Sequence, residues 1–281
     1  MLKQRVITAV ALLLVLLPAL FSARMEYWWG VSLLLMAAGA WEWGRLNACG
    51  PLTSLLLAFV CLLACVLVWD SSLMHASLSH LWWGLSALWL VGGVFMLRRG
   101  PGYWRECPRW LRLPLGLLVL WGAWVAVAQA RAVGINFLLS AMVSVWVADI
   151  AAYFAGRAWG GRWFKRKLAV SISPGKTWEG ALGGALGVVV LALVWCWLDR
   201  QVLVDSLSVY SRLPNTVMLI CCAVSISAMS VVGDLMESLV KRSAGMKDSS
   251  GLLPGHGGVL DRLDALLPTM PMAMMLYAWR L

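Results

Sequence analysis

Asp234, Ser238 and Lys241 stand at i, i+4 and i+7 of an apolar run and so share one helical face, with Arg242 flanking it. Beyond them the chain turns polar. Gly245 and Lys247-Asp248 lead into a glycine- and serine-rich loop, and "PGHGG" offers a backbone able to approach a ligand closely or take positive φ. "LDRLD" then sets Asp261 and Asp264 at i, i+3, again on one face. Two acidic faces joined by a cationic glycine loop can close into one pocket. Such carboxylates suit Mg2+, which takes one or two of them and completes its shell with phosphate oxygens. The neighbouring lysines and arginines suit phosphate charge. A loop that only set membrane topology would need the basic residues, not Asp234, Asp248, Asp261 and Asp264 beside them.

Two earlier stretches add candidates. Asp149, in "SVWVADIAAYFAGR", lies inside an apolar span at about 10 Å from its end. A carboxylate at that depth faces the bundle interior or a water-filled cavity. A structural Asp bonded to a neighbouring helix or to Arg157 reads equally well. "SISPGKTWEG" fails as a P-loop, because Val170 stands where glycine is required and no strand precedes it. The spacing predicts a helix capped by Ser173 with Pro174 at its first position. Free N–H groups near Gly175, with Lys176 and Thr177, would then face an anion. On spacing alone an ordinary capped helix start is favoured. The "GALGGALG" that follows reads as a small-residue face for close helix packing.

The elements that must position these residues are set by composition. The chain is 62% hydrophobic, with a mean hydropathy of +0.81 and only 13% charged residues, about half the usual soluble share. Apolar runs of about 20 residues recur throughout, near 6–22, 27–41, 52–69, 81–97, 113–130, 134–156, 180–198, 215–233 and 263–279. The expected fold is an all-α polytopic membrane protein of about nine transmembrane helices. It forms one membrane domain over 1–281, with apolar helices carrying little chemistry over 1–133 and a catalytic half over 134–281. With the N-terminus cytoplasmic, alternation puts 18 of the 23 Lys and Arg residues on that side and five, Arg280 among them, on the other; this is the positive-inside asymmetry. Most of the +10 charge is therefore topology, which argues against a nucleic-acid partner. It leaves a basic face suited to anionic headgroups and phosphorylated solutes.

The opening "MLKQRVITAVALLLVLLPALFSARM" has the build of a secretory signal, but an uncleaved first helix is expected. Seven cysteines without a CxxC pair give neither a disulfide framework nor a zinc site. His75, His80, Glu42 and Asp70 are assigned no role.

From Ser238-x-Val240-Lys241-Arg242 through Lys247-Asp248 to Leu253-Pro254-x-His256-Gly257-Gly258-Val259-x-Asp261-Arg262-Leu263-Asp264, the chain resembles the phosphatidate cytidylyltransferases, or CDP-diacylglycerol synthases. "SPGKTWEG" and the element around Asp149 are similar to that family as well, whereas "AGRAWGGRWFKRKL" departs from it. The resemblance implies a multi-helix integral membrane homodimer in a bacterial cytoplasmic membrane. CTP and phosphatidic acid meet there on the cytoplasmic side, with Mg2+ and a second, monovalent cation as cofactors. It implies a metal site at Asp234 and Asp261, with Ser238 and Asp264 as further ligands. Lys241, Arg242 and Lys247 would stabilise the reacting phosphates, with Asp248 and Arg262 in the same catalytic group. Ser173, Gly175, Lys176, Thr177, Asp149, Gly257 and Gly258 would bind substrate. Three roles stay open for His256: phosphate contact, proton donor or loop orientation.

Two other classes compete. A transporter would explain Asp149 but predicts inverted repeats and helices broken near the midplane. A lipid or polyisoprenoid kinase would share membrane, Mg2+ and phosphates but release a nucleoside diphosphate rather than pyrophosphate.

Overall fold

The computed structural model describes residues 2–279, so Arg280 lies outside the described residues. A backbone surrounded by hydrocarbon must satisfy its own hydrogen bonds, and these apolar runs accordingly form helices. In order they are α1 (Leu2–Phe21), α2 (Met25–Leu46), α3 (Pro51–Trp69), α4 (Ser79–Ala87), α5 (Val94–Glu106), α6 (Arg109–Val133), α7 (Ile135–Trp159), α8 (Trp178–Gln201), α9 (Thr216–Ser243), α10 (Leu260–Leu263) and α11 (Leu266–Ala278). A π-helical turn over Leu88–Gly93 joins α4 to α5, and α5 bends at Gly100, where φ is +81° just before Pro101. Among the described residues no strand forms; two isolated antiparallel bridges, Ala169 with Ser173 and Leu253 with Gly257, close turns in the loops that matter below.

Among the described residues seven helical segments, rather than the nine expected, are long and apolar enough to cross a membrane: α1, α3, α4 with α5, α6, α7, α8 and α9. The two others differ for physical reasons. Tryptophan-rich α2 carries Glu26, Glu42 and Arg45. At 13 residues α11 is about 20 Å long, and every residue from Leu266 to Met275 is buried. It packs against α4, α6, α7 and α9 at the centre of the bundle.

Small residues decide how α7 and α8 meet. A Cβ on Gly184 would come within 2.8 Å of the Ala148 carbonyl, and one on Gly183 would overlap Ala155 Cβ. The two backbones approach closely, as the "GALGGALG" pattern predicts. On the other flank, Trp29 and Trp124 exchange indole bonds across α2 and α6, Trp29 Nε1 donating to Ala128 O and Trp124 Nε1 to Trp29 O, each at 3.2 Å. The α7–α8 seam, with both helices packed on α9, brings the ends of these three helices together.

Candidate active site

Between α7 and α8 the chain folds over itself before it re-enters the bundle. Ser173 N donates to Ala169 O at 2.8 Å and Lys176 N to Ser173 O at 3.2 Å, so residues 169–176 form consecutive turns. The helix expected to begin at Ser173 and Pro174 begins instead at Trp178. Ser173 is committed to the turn, and the cap is Thr177, whose hydroxyl accepts from Gly180 N at 3.1 Å. Buried Glu179 braces the same loop, accepting from Trp163 N and Phe164 N, both at 3.0 Å.

The turn delivers Lys176 to α9. Its ammonium pairs with Asp234 Oδ2, while Ser238 Oγ, one turn on, reaches Asp234 Oδ1 at 3.4 Å. Asp149, Gly175, Lys176, Thr177 and Asp234 line one cavity of about 410 Å3 between α7, the turn and α9. Among the described residues Asp149 makes no hydrogen bond, and Arg157 donates to Tyr153 Oη at 3.0 Å instead. The structural reading of Asp149 thus loses its proposed partner, and the cavity reading gains one in Lys176. Asp264, bonded to Ala265 N at 2.8 Å, lies close enough to Asp149 and Asp234 for their charges to act on it.

A second ionic centre lies one turn further along α9. Lys241 Nζ bridges Glu237 Oε2 at 2.5 Å and Asp261 Oδ1 at 2.6 Å. The other oxygen of Asp261 accepts from Ser249 N and Ser249 Oγ at 3.0 Å and from Gly258 N at 2.7 Å. Burial works against charge on the Asp261 carboxyl. Contact with Glu237, the Lys241 ammonium and the Gly258 and Ser249 amides more than offset this and hold it at about 2. Gly257 takes φ +84°, and a Cβ there would meet Asp261 Oδ2 at 2.7 Å, so the glycine lets the loop wrap the carboxylate. Arg262 grips the loop from outside, donating through its terminal nitrogen to His256 O at 2.7 Å. The His256 side chain leaves a buried Nδ1 without a partner. Lys247, Asp248 and Arg242 stay exposed, with Arg242 Nε 3.5 Å from Ile172 O in the Lys176 turn.

The expected residues therefore fall into two adjacent groups. Asp149, Gly175, Lys176, Thr177 and Asp234 line the cavity, with Ser238 bonded to Asp234 and Asp264 nearby. Lys241, Asp261, Gly257 and Gly258 form the braced loop, with Arg262 and His256 on its outer side. Ser173 shapes the turn.

Glu42, assigned no role from the sequence, corrects that reading. It is fully buried on α2, and its carboxylate accepts from Ser249 Oγ at 3.0 Å, Ser250 Oγ, Val259 N at 2.9 Å and Leu260 N at 2.7 Å. This acid from the opening half of the chain fastens the signature loop and the start of α10. Arg5 Nε and Thr8 Oγ1 on α1 add bonds to Gly255 O at 3.0 Å and Pro254 O at 2.8 Å. Glu237, the buried partner of Lys241, also went unassigned. A charge inside an apolar helix is costly unless paired, and that was the available signal for both acids.

The donor set fits a hard cation. Among the described residues no three His, Cys, Asp or Glu side chains converge into a chelating group. Mg2+ does not ask for one, since substrate phosphates and water complete its shell. Asp234, with Asp264 and Asp149 near it, sets carboxyl oxygens beside the ammonium of Lys176. Asp261 fits less well, because both of its oxygens are engaged by Lys241 and the loop.

Residues 3–279 match the Cytidylyltransferase family. The chain is 36% identical over 289 residues to the phosphatidate cytidylyltransferase of Pseudomonas aeruginosa, covering 99% of this chain and 98% of that one. It is 35% identical to the Haemophilus influenzae protein of that name, over 96% of each. The Bacillus subtilis phosphatidate cytidylyltransferase is 38% identical over 146 residues, 52% of this chain. With the match running through every helix that builds the cleft, the chain belongs to the cytidylyltransferase family.

Proposed function

We propose that this protein condenses CTP with phosphatidic acid to give CDP-diacylglycerol and pyrophosphate. The observation that carries the reading is the meeting of Lys176, Asp234, Lys241 and Asp261, drawn from three chain segments, at the ends of membrane-spanning helices. A phosphate oxygen of phosphatidate attacks the α-phosphorus of CTP. One P–O bond forms, the bond from the α-phosphorus to the bridging oxygen breaks, and pyrophosphate leaves with that electron pair. The second pKa of a phosphate monoester is about 6, so the nucleophile is already ionised and needs no strong base.

The difficulty is bringing two polyanions together, and the residues answer it. Lys176 at the turn, with Thr177 and the Gly175 backbone, receives the nucleotide phosphates. Lys241, held by Glu237 and Asp261, presents a fixed ammonium to charge that develops on the equatorial oxygens. Arg242 and Lys247 meet the departing pyrophosphate at the exposed rim. Asp234 and Asp264 would hold Mg2+ together with substrate phosphates, and the ion would supply charge neutralisation and polarisation of the α-phosphate. The site faces the cytoplasm of a bacterial inner membrane, where CTP is found, and the protein works as a homodimer.

The test is incubation of purified protein in detergent with labelled CTP and phosphatidic acid. Release of pyrophosphate with a labelled CDP-lipid is expected. Release of a nucleoside diphosphate would make the protein a kinase and overturn the reading.

A further inference from the structure

On the opposite flank of α9 from the Lys176 cleft lies a second cavity, of about 190 Å3, bounded by α2, the π-helical turn with α5, α6 and α9. Its wall is almost entirely apolar, yet two buried indoles in it lack hydrogen-bond partners. Trp89 Nε1 on the π turn and Trp104 Nε1 on α5 donate to nothing, while Glu237, which also lines the cavity, is held by Lys241 through Oε2. Trp104 is 1% exposed and Trp89 9%. Buried indole N–H groups normally find acceptors, and an orphaned donor costs the desolvation of the group. Two in one cavity, one on a π turn of the kind found at functional sites and one on the helix that follows it, point to a ligand that brings acceptors into an apolar space. Several wall residues, Leu88, Gly92, Met96, Leu115 and Val119 among them, are only half-buried, so the cavity opens on the flank of the bundle.

Depth and connection narrow the ligand. Glu237 lines this cavity and also pairs with Lys241, so the cavity abuts the catalytic ammonium directly. Arg105, next to Trp104, donates to Ser243 O at 3.0 and 2.8 Å and fixes α5 against the polar end of α9. An apolar void of about 150 Å3 accepts a benzene-sized group. This one therefore has room for an ester and the first few methylenes of a chain, not for a whole lipid.

We infer that this cavity receives the ester-linked part of phosphatidate, with the Trp89 and Trp104 indole N–H groups donating to its ester carbonyls. The inference rests on the proposed lipid substrate and adds how that substrate is recognised below its phosphate. Ester carbonyls lie just beneath a lipid phosphate, which is the relation of this cavity to Lys241. The first methylenes fill the apolar remainder, and the rest of each chain leaves through the open flank into the bilayer.

The test compares dioleoyl phosphatidic acid with its dialkyl ether analogue, which keeps phosphate, glycerol and chains but has no carbonyls. Initial rates in mixed micelles are measured for wild type, Trp89→Phe and Trp104→Phe. Wild type should show a Michaelis constant about 5- to 10-fold higher for the ether lipid, the scale of one or two lost neutral hydrogen bonds, with turnover little changed. That ratio should fall toward one in either variant, because the ester advantage needs the donor. Equal constants for ester and ether lipid in wild type would overturn the inference, as would a ratio unchanged in both variants. Should Trp104→Phe fail to fold, the wild-type comparison and Trp89→Phe still decide. No CDP-lipid from either substrate would instead overturn the proposed reaction, and this inference with it.

Discussion

At the scale of single residues, the candidate site is a set of charges, among which Asp261 is fixed by several partners. Asp261 holds Lys241 with one oxygen and the loop amides with the other. Asp261→Asn is expected to lower turnover by about 100- to 1000-fold, with normal extraction from membranes; near wild-type turnover would remove Asp261 from the catalytic arrangement. Because its folded value is depressed to about 2, against about 3.9 in an unfolded chain, its contribution to stability is complete above pH 4. It is lost as pH falls from there toward 2. Pepsin cleavage within residues 247–258, followed in detergent, should rise across that window in wild type, and Asp261→Asn should already be cleaved at pH 4. Glu42→Gln replaces one of two accepting oxygens by a donor facing N–H and O–H groups that need an acceptor. Activity should fall at least about 10-fold and the melting temperature should drop, because buried donors left unpaired cost about 1–3 kcal/mol each. Asp234, Ser238 and Lys241 were legible in the sequence because helical spacing alone puts them together. Glu42 was not, because its partners lie 207 to 218 residues away in a loop whose path no local rule predicts.

At the scale of elements, the Lys176 turn and α8 show where a local signal misled. Ser-Pro is a sound helix-start signal, but the bonds of Ser173 to Ala169 and Lys176 outcompete it, and the helix starts four residues later. The small-residue seam of α8 was legible, since close approach needs glycine whichever helix lies opposite. Gly183→Leu should force α7 and α8 apart and lower the melting temperature in detergent, measured by tryptophan fluorescence. Gly175→Ala, with nothing within 4 Å of its Cβ, should leave it unchanged. The turn and α9 also share one ion pair. Lys176→Ala and Asp234→Asn should therefore be far from additive in kcat/KM when combined; additive losses would separate the two groups.

For the whole molecule, orientation is still an expectation, resting on the nine-span alternation that sets 18 of the 23 basic residues against five. In a cysteine-free background, Gly251→Cys, on an exposed part of the signature loop, should label from the cytoplasmic side only. Leu203→Cys, fully exposed beyond α8, should label from the other side only. Labelling of Gly251→Cys from outside would part the site from CTP. The class of fold was plain from composition. The span count was not, because hydropathy cannot tell a helix facing lipid from one enclosed like α11.

The grip of α1 and α2 on the loop at Pro254–Val259 also sets an order of events during synthesis. Arg5, Thr8 and Glu42 emerge from the ribosome early and wait in the bilayer for a loop made some 200 residues later. A chain stopped before that loop has Lys176 and Asp234 in place but no Asp261 to steady Lys241, so it would hold nucleotide charge without turning it over. On the proposed reading turnover would wait until that loop is made, and removing the first helix would leave it without two of its anchors.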